Sequence, residues 1–211
     1  MEILLDTAII YGLCVLALVT AIFVVAQLRA DNSIMDICYG PIFALCAWAT
    51  IGLADAAGAL PYLVAGLVSV WALRLSVRIG RKNWGKPEDA RYAAWRAEWL
   101  ERGRLYFVVR SYLQINLLQG LIIVIVSLPI IWAIAFPTAW SGWSVLIGAL
   151  IFVVGLSYET IADWQLDAFI ARKKAGTESA ELMSEGLFRF SRRPNYFGES
   201  LLWWGLAIVV L

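Results

Sequence analysis

The residues best equipped for chemistry cluster late in the chain, where Arg192 and Arg193 precede Pro194, Asn195, Tyr196 and Glu199. Pro194 lacks a backbone donor and disfavours helical backbone at Arg193, so a helix is predicted to begin at Pro194. Asn195 and Glu199 then share one face of its first turns. The two arginines stand just ahead of free backbone N–H groups and the positive end of the helix dipole, a setting that suits a phosphate-bearing ligand. It equally suits an arginine pair meeting lipid headgroups, with Asn195 as a capping residue. A second pair, Asp36 and Tyr39, lies three residues apart, where a carboxylate can orient a phenol toward a substrate oxygen. A salt bridge from Asp36 to Arg74 that joins two helices is the competing role. The chain contains no histidine, which excludes histidine acid–base catalysis, histidine metal ligation and haem held by histidine. Cys14, Cys38 and Cys46 all fall in apolar runs, where they act as small hydrophobes, so neither a metal site nor a disulfide framework is expected.

The elements that must position these groups are membrane helices. Of the 211 residues, 62% are hydrophobic and the mean hydropathy is +0.76, outside the range of soluble domains. Apolar runs long enough to cross ~30 Å of hydrocarbon cover residues 8–28, 34–54, 59–77, 111–136 and 144–160. The first lacks the charged start and cleavage site of a signal peptide and is expected to stay as a span. Between them lie two polar segments, 78–110 and 161–194. Within the first, Tyr92, Trp95 and Trp99 recur at helical spacing among charges, which predicts an amphipathic interfacial helix over residues 88–102 that serves as a headgroup-binding surface. Trp140 and Trp143 flank the turn at 137–143 as an aromatic belt. The last run, 201–211, is too short to cross a bilayer. The expectation is therefore an all-α polytopic transmembrane helix bundle, a single domain over residues 1–211. It has five full spans plus a truncated sixth at 195–211, as a fragment lacking a C-terminal part.

Charge gives this bundle a direction. Of 17 Lys and Arg residues, 10 lie between residues 74 and 110, 6 between 172 and 193, and one at Arg29. The turns at 54–58 and 137–143 have none. The positive-inside rule then puts the N-terminus outside and both basic segments in the cytoplasm. Counted from that side, Asp36, Arg74, Gln114, Asn116, Gln119, Glu159, Asp163, Asn195 and Glu199 all fall near one depth. Ionisable residues cost ~2.5 to 3.5 kcal/mol each inside a span, so such a layer should face a cavity or pair internally. For Gln114, Asn116 and Gln119, hydrogen bonding between helices serves as well as ligand contact.

A resemblance joins these residues. Gly186-Leu187-Phe188-Arg189-Phe190, then Arg192 through Glu199, then Trp203-Trp204-Gly205 resemble the C-terminal signature of an uncharacterised bacterial membrane family. That family lies in the steroid 5-alpha-reductase-like superfamily and is related to isoprenylcysteine carboxyl methyltransferases. The likeness extends to Asp31-Asn32-Ser33 with Asp36, Glu88-Asp89 with Arg91-Tyr92, Leu118-Gln119-Gly120, Pro129, and Asp163 with Gln165. It implies a membrane-embedded, NADPH-dependent reductase of a carbon–carbon double bond conjugated to a carbonyl in a lipid-like substrate, whether steroid, isoprenoid or enoyl. Asn195 and Glu199 are implied to contact the nicotinamide end of NADPH. Arg192, Arg193, Tyr196, Asp163, Arg172, Lys173, Gln119, Arg81 and Asn83 are implied in holding the cofactor. Superfamily reductases polarise the carbonyl with a glutamate on an early helix and a tyrosine on a later one. Asp36 matches the first, Trp71 falls where the tyrosine belongs, and Tyr39 is the candidate to replace it. The expected partners are membrane lipids and a hydrophobic small molecule, with no nucleic acid. A methyltransferase using S-adenosylmethionine is the rival enzyme, with Arg193 in place of that family's histidine, and a non-catalytic lipid-binding membrane protein is the third reading.

Overall fold

The computed structural model describes residues 1–83, 85–138 and 141–211, and its regular structure is helical throughout. Trp140, assigned above to an aromatic belt, lies outside the described residues. Five helical stretches are long and apolar enough to cross a bilayer: Glu2–Arg29, Ile34–Leu53, Ala59–Asn83, Arg104–Val126 and Gly142–Lys174. The chain divides into two compact units, Met1–Thr138 and Ala139–Leu211, and each is taken by itself.

The first unit opens with α1 (Glu2–Arg29), α2 (Ile34–Leu53) and α3 (Ala59–Asn83). Helix α1 ends where Ala30 turns left-handed at φ 51°, and the chain reverses into α2 within four residues. Pro41 sits inside α2 and cannot donate to the carbonyl of Ile37. The Ser76 hydroxyl of α3 takes up that carbonyl instead, at 2.8 Å. Gly40 brings the two helices together, since a Cβ there would stand 3.0 Å from the Ala72 backbone.

Two short helices follow, α4 (Ala90–Glu101) and α5 (Arg104–Ser111). From α5 the chain continues through a π-helical stretch, Tyr112–Leu117, into α6 (Leu118–Val126), and then α7 (Leu128–Ala135). The expected single span at 111–136 is thus broken at Ser127. The cause is Pro129 in the first turn of α7, which withholds the N–H that a continuous helix needs. Beside the break, the Tyr11 hydroxyl lies 2.8 Å from Ser127 Oγ and donates to the Phe43 carbonyl at 3.3 Å. Helix α4 also differs from expectation in where its aromatics go. Tyr92 and Trp99 are each only 4% exposed, and Trp95 stacks on Trp99 at 5.7 Å. The aromatic face is therefore packed against protein, leaving Ala93, Ala94, Glu98 and Glu101 exposed.

The second unit is one helical hairpin, α8 (Gly142–Lys174) and α9 (Pro194–Val209), with a short 3-10 helix, Gly186–Arg189, between them. Ser141 and Ser144 form a capping box at the start of α8. Its 33 residues make about 50 Å of helix, so it does not stop at residue 160 where hydropathy falls. Nothing in residues 161–174 breaks a helix, and Arg172, Lys173 and Lys174 favour its negative C-terminal end. Glycines at a seven-residue spacing on both helices set the packing. A Cβ on Gly148 would lie 2.6 Å from the Gly205 carbonyl, and one on Gly155 2.7 Å from the Gly198 carbonyl. A Cβ on Gly198 would come within 2.5 Å of the Glu159 amide nitrogen. Such contact leaves no room for any side chain, and it replaces a hydrophobic driving force that lipid does not supply.

Gly198→Ala and Gly155→Ala should each destabilise the chain in detergent by ~1 to 3 kcal/mol through overpacking. Gly66→Ala, whose Cβ meets open space, should be neutral or stabilising by up to about 1 kcal/mol. Thermal unfolding of the three variants measures the difference.

Candidate functional site

In the first unit the polar site is built by docking α4 onto the turn between α1 and α2. Glu88, just before α4, accepts from the Asn32 backbone N–H at 2.8 Å. It also receives Arg96 Nε and Nη2 at 2.7 and 2.9 Å. That ion pair is well covered, with side-chain exposures of 19% for Arg96 and 10% for Glu88. The adjoining Asp89 N–H donates to Ser33 Oγ at 2.9 Å, and Ser33 Oγ donates to Asp31 at 2.5 Å. Arg91 fixes the start of α4, since its side chain and backbone N–H both donate to Asp89 Oδ1 at 3.0 Å. The Arg91 side-chain bond, then its backbone bond, hold the Asp89 carboxyl below its usual range.

This docking delivers Tyr92 to Asp36. The phenol donates to Asp36 Oδ1 at 2.6 Å, short enough to mark a charge-assisted bond. Gln119 Nε2 of α6 donates to the same phenol oxygen at 3.4 Å. Arg91 Nη2 reaches Asp36 Oδ2 at 3.2 Å, but its side chain is 68% exposed, so this contact contributes little. Burial first, then the charge and hydrogen bond of Asp36, push the Tyr92 phenol above its usual range. The group is a neutral donor beside a carboxylate. Asp36 and Gln119 are therefore brought together through Tyr92, a residue the sequence reading placed on an interfacial helix. Tyr39, one turn beyond Asp36, packs edge-on against Phe43 at 5.3 Å, and Trp71 does likewise at 5.5 Å. Gln119 Oε1 and Asn32 Nδ2 are shielded and have no hydrogen-bond partner. Asn116 donates to the Val19 carbonyl at 3.2 Å, an interhelical role. Arg81 is exposed on the last turn of α3, and Asn83 ends that helix.

In the second unit Gly198 seats the first turns of α9 against Glu159 of α8, so Asn195 and Glu199 flank the contact. Glu159 and Asp163, one turn apart on α8, are 3% and 4% exposed. Asn195 Oδ1 is shielded from solvent without a hydrogen-bond partner. Arg192 and Arg193 are exposed ahead of the helix, and Arg193 lies over the Tyr196 ring at 5.3 Å. Gly186, at φ 56°, lets the approaching chain press on Gln165, whose Oε1 accepts the Leu187 N–H at 2.9 Å. Arg172 donates to Glu178 and Glu185, and Lys173 to the Glu181 carbonyl.

The residues that sequence reasoning missed are Tyr92 as the partner of Asp36, and Glu88 with Arg96 as the clasp that holds it. A signal existed, because Asp31-Asn32-Ser33 and Glu88-Asp89 with Arg91-Tyr92 are the two polar strings that meet. Glu88→Ala leaves Arg96 and the Asn32 amide without their acceptor, so it should cost ~3 kcal/mol. Exposed Glu98→Ala should stay within about 0.5 kcal/mol of the unaltered chain. Both are read from unfolding in detergent. The folded chain keeps the Tyr92 proton that the unfolded chain releases from about pH 10 upward. Stability should therefore fall as pH rises through that range, and Tyr92→Phe should make the decline shallower.

Comparison with known proteins bears on this arrangement. No solved structure matches the chain. Over 67 residues it is 40% identical to the steroid 5-alpha-reductase DET2 of Gossypium hirsutum, a match covering 32% of this chain and 25% of that protein. The chain thus spans about a quarter of the length of that relative. The DUF1295 family, described as a protein of unknown function, matches residues 22–211. With all but its first 21 residues inside that match, the chain belongs to the DUF1295 family.

Proposed function

We propose that the chain carries the working part of a membrane-embedded reductase that uses NADPH to saturate a carbon–carbon double bond conjugated to a carbonyl in a lipid-like substrate. The observation that carries this reading is the 2.6 Å bond between Tyr92 and Asp36. Reduction of a conjugated double bond builds negative charge on the carbonyl oxygen, and a fixed donor that keeps its proton lowers that barrier. Tyr92 meets the requirement, because its surroundings favour the protonated phenol. The Tyr92 O–H is directed at Asp36, and a carbonyl oxygen placed against the phenol would take over that donor. Asp36 thus orients the donor. The similarity to a steroid 5-alpha-reductase supports the same chemistry, with steroid, isoprenoid and enoyl substrates as the candidates.

NADPH, when bound, supplies the hydride. Asn195 and Glu199 would hold its nicotinamide end, and the shielded Asn195 Oδ1 without a partner fits an acceptor waiting for an amide N–H. Arg192, Arg193, Tyr196, Asp163, Arg172 and Lys173 of the second unit are proposed for the rest of the cofactor. The basic segments and the cofactor side are proposed to face the cytoplasm.

The test is NADPH binding by the full chain, followed by NADPH oxidation with a panel of steroid, isoprenoid and enoyl enones. Tyr92→Phe and Asp36→Asn should lower kcat by about 10²-fold, the size of one lost oxyanion donor, with NADPH affinity unchanged. Asn195→Ala should weaken NADPH binding by about tenfold, as for one lost hydrogen bond to a polar ligand. Absence of binding at millimolar NADPH, with S-adenosylmethionine bound instead, would replace the reductase by a methyltransferase.

A further inference from the structure

The end of α8 is strongly basic, with Arg172, Lys173 and Lys174, while residues 175–188 carry Glu178, Glu181 and Glu185 and no cation. This acidic segment turns back at once onto the basic turn. Gly176, at φ 72°, makes the reversal, and the Thr177 N–H and hydroxyl both donate to the Arg172 carbonyl at 3.1 Å. Arg172 Nε and Nη2 then donate to Glu178 Oε2 at 3.3 and 3.2 Å. Nη2 also donates to Glu185 Oε2 at 3.0 Å. Lys173 Nζ donates to the Glu181 carbonyl at 3.0 Å. Glu178 is itself held ready, because its other oxygen accepts the Ala180 N–H at 3.0 Å.

Two features set this strap apart from a stabilising clamp. Its ion pairs are partly wet at the shared Arg172, which is 41% exposed, with Glu185 69% and Glu178 15% exposed, so the Glu185 pair is weak and the Glu178 pair is the firmer one. At its tip Leu182 is 80% exposed, and Met183 is only half-buried. A guanidinium fork that faces carboxylate oxygens is also the geometry that recognises phosphate. We propose that residues 177–185 are an internal anionic ligand, whose Glu178 and Glu185 carboxylates occupy Arg172 where the phosphate group of a bound ligand takes hold. Binding at the end of α8 then requires the strap to swing out. The proposal concerns regulation of the cofactor site and rests on Arg172 belonging to it.

A clamp and a competitor differ in sign. Titrating the full chain in detergent with NADPH and with inorganic pyrophosphate, the double variant Glu178→Gln/Glu185→Gln should bind both about tenfold more tightly, the size of two partly exposed ion pairs. Glu181→Gln makes a charge change on the strap without removing a contact to Arg172, and should give no such gain. Arg172→Gln should abolish the gain. Chymotrypsin cleavage after Leu182 should speed up when either probe is added. Unchanged or weaker binding by the double variant, an equal gain from Glu181→Gln, or cleavage slowed by ligand overturns the strap. If pyrophosphate shows the gain and NADPH binds neither protein, the strap stands and the NADPH reading falls. If NADPH binds equally with and without the strap carboxylates, the NADPH reading stands and the strap falls.

Discussion

A carboxylate at the edge of a bilayer has to be met by donors, and Asp36 makes that demand of the first 138 residues. It stands on the first turn of α2, where the helix dipole favours an anion, and both its oxygens are reached by side chains, Tyr92 and Arg91. The donors come from α4, a short helix that could otherwise lie anywhere along the surface. Burying Tyr92 and Trp99 gives α4 its face, but apolar contact does not choose a register. Glu88 does: with one carboxylate it accepts the Asn32 amide and the Arg96 guanidinium. With that clasp removed, the Asp89 bond to Ser33 and the contacts of Arg91 and Tyr92 with Asp36 are left to hold the register alone.

The second unit solves its assembly by shape. In lipid, apolar side chains gain nothing by leaving their surroundings for one another, so close backbone contact must supply the attraction. Gly148 and Gly155 against Gly205 and Gly198 supply it, two turns apart on each helix. The same contact serves the site, because Gly198 lies between Asn195 and Glu199. Once the glycines fix the rotation of α9, those two side chains have no freedom in which way they face.

Much of this was legible in the sequence, and what was not has identifiable causes. Hydropathy located the spans because the bilayer tests composition over some twenty residues at once. It misjudged their ends, as at Lys174, because a helix leaving the membrane stays helical until something breaks it. Pro129 was visible, but the bond that meets the break, from Tyr11 to Ser127, joins residues far apart in sequence. Tyr39 was favoured over Tyr92 because spacing along one helix is readable and docking between helices is not. The aromatic stripe on α4 was correctly seen as one face. Whether it turned to lipid or to protein was decided by Glu88 and Arg96, charges that look from sequence like any interfacial pair. The Asn195 and Glu199 placement on one helical face needed only the start signal at Pro194, and the structure begins α9 there.

Both units leave a few polar atoms unmet. Gln119 Oε1 and Asn32 Nδ2 in the first, and Asn195 Oδ1 in the second, are shielded without a partner. Each such atom costs ~1 to 3 kcal/mol, and each belongs to a residue whose other contacts are well made or whose helix start is fixed. Asn32 anchors the clasp through its backbone, Gln119 supports the Tyr92 phenol, and Asn195 opens α9. A chain that meets Asp36 and Glu88 so fully has the means to satisfy an amide. These three open valences sit on amides, groups able to accept or donate, and a neutral polar group brought to any one of them would complete its bonding.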